Sequence, residues 1–240
     1  MAMREDDRLK GPFSHLKLSS WDPLRSATRE VCPKCKSSRK VYCYDCFQFL
    51  PNIDPTSIPR ISLPVPVDII KHSQEVQGKS TATHAVMLAP DNVSIHTYPS
   101  LPPFSDPNKC LLVFPREGAL SVSEWVRQNG TETAGGGMDW RQVERVVFID
   151  STWIQTRKIL KDVDHLPCVV LTNEETHFWR PQTKTTSHLA TIEAIYYFFR
   201  ETCQPPEAYK GEYDNLLYFY AYQYNVVHEA MDKRARDVEL

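Results

Sequence analysis

Four cysteines at metal-ligand spacing carry the most specific chemistry in the sequence. Cys32-Pro33-Lys34-Cys35 is followed, after seven residues, by Cys43-Tyr44-Asp45-Cys46. Two such C-x-x-C knuckles let four thiolates close a tetrahedron around Zn²⁺, and a closed four-cysteine site leaves no open coordination position, so its ion is structural. Two disulfides or four free thiols are the alternatives. The N-terminal MAMREDDRLKGPFSH is charged and has no apolar signal-peptide centre, which points to a reducing, intracellular setting and favours metal over disulfides. Cys110, Cys168 and Cys203, the other three of the seven cysteines, lie in apolar contexts and read as core.

The second candidate is Asp150. It ends the apolar β-branched run Val146-Val147-Phe148-Ile149, a buried strand. Thr152 then opens a helix, with Gln155 three residues on completing a capping box. Asp150, Ser151 and Trp153 therefore sit at the carboxyl end of a strand and the positive end of a helix, where open α/β sheets bind ligands. The bland reading is that Asp150 only supports the turn. Gly78-Lys79-Ser80-Thr81 mimics the end of a P-loop, but the glycine required five residues earlier is Ser73, so a nucleotide triphosphatase is not expected. No G-x-G-x-x-G, G-x-S-x-G or H-E-x-x-H occurs, which argues against Rossmann, α/β-hydrolase and zincin chemistry. Glu193 stands on a mostly apolar helix and needs a partner if buried; Arg180 is the one expected.

These residues need a scaffold, and the hydropathy pattern supplies one. Strands are expected at Val65–Ile70, Val93–Tyr98, Cys110–Phe114, Val146–Ile149 and Cys168–Leu171. Helices are expected at Ser80–Leu88, Ser121–Gln128, from Thr152, at Ser187–Arg200 and at Tyr213–Lys233. Strands alternating with helices mean a mostly parallel sheet with helices on both faces. Residues 1–28 read as a mobile N-terminal arm, 29–50 as a zinc-binding Cys module and 51–64 as a proline-rich connector. Residues 65–240 read as the catalytic domain, with a flexible insertion at Asn129–Trp140. A net charge of −2 argues against a general nucleic-acid coat, so any RNA-binding face must be a local patch. No apolar run reaches the roughly 18 residues of a membrane span.

Asp150-Ser151-Thr152-Trp153 resembles the D-x-T-W signature of the DTW-domain family. The companions agree: Lys79-Ser80-Thr81, Leu112-Val113-Phe114-Pro115, Phe178-Trp179-Arg180 and Thr191-Ile192-Glu193-Ala194, with the paired knuckles ahead of them. The resemblance covers about residues 30–230 and is nearest the family's eukaryotic type-1 branch. It implies a SPOUT-like knotted α/β fold, an exception to the rule against knots. It implies a tRNA-uridine aminocarboxypropyltransferase, with S-adenosylmethionine as donor and N3 of a D-loop uridine (tRNA position 20) as acceptor. It implies Asp150 as the catalytic residue, either taking the N3 proton or holding the donor's ammonium. The implied donor pocket comprises Leu112, Phe114, Pro115, Asp150, Ser151, Thr152, Trp153, Leu171, Thr191 and Glu193. Lys79, Arg157, Lys161, Arg180 and Lys184 are the implied tRNA contacts; the bland reading of Arg157 and Lys161 is a solvated basic face. The partner is tRNA, with no membrane and no obligate protein partner. The location is nuclear with a cytoplasmic pool, although the tail carries only the short basic cluster Lys233-Arg234-Ala235-Arg236. A SPOUT-type methyltransferase and a non-catalytic zinc-ribbon adaptor are the competing readings.

Overall fold

The computed structural model describes residues 11–130, 138–179 and 188–238, with the side chains of 153 and 238 excepted. Six strands form one sheet: β1 (Val67–His72), β2 (Val93–Tyr98), β3 (Cys110–Val113), β4 (Leu120–Ser121), β5 (Arg145–Asp150) and β6 (Cys168–Val170). Their order is β2-β1-β5-β3-β6-β4, and every pairing is parallel. All six residues of β1 are buried, as expected for a strand covered on both faces. The sheet is flanked by α2 (Ala82–Leu88), α3 (Val122–Asn129), α4 (Trp153–Val163) and α5 (Thr191–Glu201), after α1 (Asp22–Ser26) and before the long α6 (Tyr218–Val238).

Alternation along the strands divides the core. Ile70, Leu112 and Val147 pack with Ile159 and Val163 of α4 on one face. Ile69, Leu111 and Phe148 face the other side, with residues of α2, α3, α5 and α6. The β2 expectation matches to the residue. β1 starts and ends two residues later than expected, which draws Lys71 and His72 into the buried strand.

The arm expected over residues 1–28 is corrected for its described part. Phe13, Leu16, Trp21 and Leu24 are buried in the main core. The Lys17 N–H donates to Asp214 Oδ2 at 2.6 Å, and the Ser19 N–H donates to Asn215 Oδ1 at 2.9 Å. Docking is driven by these apolar anchors meeting a partner near the other end of the chain. Residues 1–10 lie outside the described residues, as does most of the expected insertion at Asn129–Trp140.

The Cys module is two short antiparallel hairpins, Glu30–Val31 with Ser38–Arg39 and Tyr42–Cys43 with Gln48–Phe49. Each knuckle turns in the same way. The Lys36 N–H donates to the Cys32 carbonyl at 3.0 Å, and the Phe47 N–H donates to the Cys43 carbonyl at 2.8 Å. Lys36 and Phe47 both take left-handed backbone, at φ +63° and +52°. The proline-rich connector then runs along the domain and buries Ile53, Ile58, Ile61 and Leu63.

Candidate functional site

The carboxyl ends of β1, β5, β3 and β6 lie side by side, and Lys71 of β1 pairs with Asp150 of β5. This is the edge of the sheet where strand order reverses and where ligands bind in open α/β folds. Asp150 is only 7% exposed. Its Oδ2 accepts from the Ser80 hydroxyl at 2.6 Å, and its Oδ1 accepts from the Thr191 hydroxyl at 2.7 Å. Burial pushes the Asp150 carboxyl above the ordinary carboxylate range; the two hydroxyls and nearby Lys71 pull it partly back. Burial likewise raises Glu75, and the charge of Asp150 adds to that shift.

Two cavities meet beside Asp150. One, of about 160 Å³, is mostly apolar: Phe114, Pro115, Phe148, Leu171 and Leu189 line it, with Ser151, His188 and Thr191 as polar members. The other, of about 300 Å³, is polar, with Glu75, Lys79, Ser80, Asp150 and Thr152 on its wall. Ile149, Ser151, Leu189 and Thr191 line both. The compound space thus offers an apolar slot at one end and opposite charges at the other. A ligand with a flat apolar ring and a zwitterionic tail matches that division.

The turn around Asp150 is well secured. The Thr152 N–H donates to Gln155 Oε1 at 3.2 Å, so the amide reaches back over the start of α4 as expected. The Ser151 and Thr156 hydroxyls are 2.7 Å apart. Thr81 accepts the Ile192 N–H at 3.2 Å and so ties the start of α5 to the loop after β1.

A family model, the DTW domain, matches residues 40–228. The chain belongs to the DTW-domain family. The tRNA-uridine aminocarboxypropyltransferase 1 of Xenopus tropicalis is 38% identical over 255 residues, covering 91% of this chain and 87% of the frog protein. The proteins of the same name from Rattus norvegicus and Homo sapiens are 38% and 36% identical, each over 91% of this chain and 84% of their own length. No solved structure matches.

The family's signature residues do not all serve the cavity. Phe114, Pro115, Ser151, Leu171 and Thr191 line the apolar slot; Asp150, Thr152 and Lys79 line the polar one. Leu112 is fully buried with Ile70 and Val147 and lies below the cavity wall. Glu193 is also fully buried, and its partners among the described residues are neutral donors. It accepts from the Thr176 hydroxyl at 2.6 Å, the His177 N–H at 2.7 Å and the Ala190 N–H at 2.8 Å. It therefore clamps the two described ends of the loop between β6 and α5, and lines neither cavity. Arg157 and Lys161 are exposed on α4 and off the cavity walls. Trp153 is the first residue of α4. Arg180 and Lys184 lie outside the described residues.

Sequence reasoning did not place Glu75, which carried no motif, in the site, nor Lys71, His188 and Leu189, which come to it only through tertiary packing. The signal for Ser80 and Thr81 was present but misleading. The false P-loop ending is real chemistry of another kind, because its two hydroxyl residues hold Asp150 and α5.

In the Cys module the four Sγ atoms all lie within 4.8 Å of one another. Tetrahedral coordination with bonds of about 2.3 Å needs sulfurs about 3.8 Å apart, so the cluster could hold a metal ion. Cys32 and Cys43 are buried.

Proposed function

We propose that this protein transfers the 3-amino-3-carboxypropyl group of S-adenosylmethionine to N3 of a D-loop uridine in tRNA, at position 20, and releases methylthioadenosine. The reaction type is that of the relatives' name. The observation that carries it to this chain is the position of Asp150, a buried carboxylate of raised basicity where an apolar and a zwitterion-compatible cavity meet.

The donor supplies an electrophilic γ-carbon bonded to a sulfonium. Phe114, Leu171 and Leu189 enclose its adenine, and Ser151 and His188 supply polar contacts along the slot. Glu75 and Lys79 match its ammonium and carboxylate. Thr191 stands at the junction with its hydroxyl committed to Asp150. Asp150 accepts the N3 proton as the N3–carbon bond forms and the carbon–sulfur bond breaks, its electron pair passing to sulfur. A base with a pKa raised toward the working pH removes a weakly acidic proton more effectively than an ordinary carboxylate. Ser80 and Thr191 fix both carboxylate oxygens, so the base is oriented before substrate arrives.

Zinc is the ion that suits the Cys module. Four cysteine thiolates without carboxylate or water form a closed structural site. Left-handed backbone at the same point of both knuckles costs roughly 1–2 kcal/mol per residue, and coordination would offset it. A SPOUT-like knot is supported by the all-parallel sheet and by a donor cavity built from the loops after β3, β5 and β6; an experimental chain trace that threads no loop would remove it. Nuclear residence with a cytoplasmic pool rests on the family resemblance alone, since the tail carries only the short basic cluster 233–236; fractionation and immunodetection would test it.

The experiment is mass spectrometry of tRNA nucleosides from cells lacking the gene. Loss of aminocarboxypropyluridine at position 20, restored by the gene, is the expected result. Unchanged aminocarboxypropyluridine with a missing methyluridine would overturn the assignment.

A further inference from the structure

A third cavity, of about 310 Å³, lies where the Cys module meets the catalytic domain. Its walls come from α1 and the segment after it, the hairpins of the Cys module, the loop from Gln77 to Thr81, the start of α2, Phe178 and Trp179, and α6. Arg29, Arg39, Lys40 and Lys79 line it, and among the described residues no acidic side chain does. That contrasts with a chain of net charge −2. Arg29 and Lys40 are exposed, whereas Arg39 is held by Asp45 at 2.8 Å and lies 4.0 Å over the Tyr44 ring.

Two further observations narrow the occupant. Aromatic rings are dense in the wall, among them Tyr42, Tyr44, Trp179 and Tyr222. Four buried polar atoms of wall residues have no hydrogen-bond partner among the described residues: Arg39 Nε, Gln77 Oε1, Thr83 Oγ1 and His84 Nδ1. Thr83 is 1% and His84 2% exposed. Burial lowers the His84 imidazole to about 3, so its ring is neutral and offers an acceptor or a donor without charge. Buried polar atoms left unpaired are costly, and a ligand with its own polar edge relieves that cost. Cations for phosphates, rings for stacking and unpaired polar atoms for an edge are the recognition set for a single-stranded nucleotide.

The cleft is also continuous with the reaction site. Lys79, Ser80, Thr81 and Phe178 line both it and the polar cavity that holds Asp150. Gly78 keeps the joint tight, since a Cβ there would come within 3.2 Å of the Tyr44 hydroxyl oxygen.

We propose that this cleft is a second nucleotide subsite, which takes an unstacked loop nucleotide adjacent to the acceptor uridine while Arg29 and Lys40 hold its flanking phosphates. The Cys module is then part of the RNA-recognition surface, with its fold fixed so that Tyr42 and Tyr44 stay in the wall. This rests on the reading that the acceptor is a tRNA uridine.

The test uses the full chain and unmodified tRNA carrying the acceptor uridine. R29E/K40E is compared with wild type for tRNA affinity over a salt series, for S-adenosylmethionine affinity and for thermal midpoint. The double variant should bind tRNA at least tenfold more weakly. Its slope of log affinity against log salt should fall by about 1.4, roughly 0.7 for each lost single-strand phosphate contact. Donor affinity and thermal midpoint should stay at wild-type values. In parallel, tRNA with 4-thiouridine beside the acceptor should photo-crosslink to peptides containing 38–44 or 219–223. Wild-type affinity and salt slope in the double variant, or crosslinks only to other peptides, overturn the subsite while leaving the transferase reading intact. Wild-type protein that binds no tRNA overturns both.

Discussion

Replacing Asp150 by asparagine tests the reaction centre with little disturbance of shape. Each carboxylate oxygen accepts one hydroxyl, from Ser80 and from Thr191. In the variant the amide oxygen keeps Ser80, whose Oγ already accepts the Ala82 N–H at 3.2 Å. The amide nitrogen then faces Thr191, which only has to turn its hydroxyl to accept. The fold should survive. A positioned base contributes about 10²–10⁴ in rate, so single-turnover transfer should slow by at least about 100-fold. Donor affinity should change less than threefold. If Asp150 instead held the donor ammonium, loss of a charge-assisted bond of about 1.5–3 kcal/mol would weaken donor binding tenfold or more, while methylthioadenosine, which lacks the tail, would bind unchanged. Stability gives an independent reading. The Asp150 pKa is raised in the folded state, so its contribution is fully present below the unfolded carboxylate value and is lost as pH rises through the folded value. The stability of the asparagine variant relative to wild type should therefore improve from pH 4 to 7 in urea titrations. Near wild-type transfer by the variant would refute the account of the site.

Other consequences follow from the same contacts. Glu193→Gln puts an amide nitrogen against a ring of donors, so the clamp should open; hydrogen exchange of 176–179 and 188–190 should accelerate, with donor affinity down at least fivefold by calorimetry. Leu24→Ala removes a fully buried anchor of the N-terminal segment and should cost about 2–5 kcal/mol, read as a drop of roughly 5–15 °C in Tm; a change below 2 °C would mean that the segment is not docked. Atomic emission should find one zinc per chain, and Cys43→Ser should lose it together with part of the thermal stability. Ser80→Ala frees one oxygen of Asp150 and should lower kcat about tenfold at unchanged tRNA affinity, measured by rapid-quench transfer.

The strand that presents Asp150 was readable because apolar residues, three of them β-branched, run unbroken before it and a capping residue follows. The β2 boundaries were readable for a similar reason, with Pro99 to stop the strand. The burial of Lys71 was not readable: a lysine after an apolar run signals a strand end, whereas in the fold the carboxylates of both Asp150 and Glu75 act on its charge. Glu193 was recognised as needing a partner; its donors among the described residues are two backbone N–H groups and a hydroxyl, which carry no sequence signature. The N-terminal segment was misread because Phe13, Leu16, Trp21 and Leu24 have no clean period. The same segment's Lys17 and Ser19 N–H groups find their partners Asp214 and Asn215 nearly 200 residues away in sequence, at separations of 197 and 196. The family resemblance identified which residues recur, not which ones touch ligand. Leu112 and Glu193 support the cavity from behind, while Ser80 acts on Asp150 directly.

The central claim is that the group transferred is the amino-acid arm of the donor and not its methyl. Purified protein should be incubated with unmodified tRNA and donor carrying tritium in the methyl group and carbon-14 in the carboxyl. The account predicts carbon-14 alone in the tRNA and tritium recovered in methylthioadenosine. Tritium in the tRNA, with carbon-14 recovered in S-adenosylhomocysteine, would contradict it.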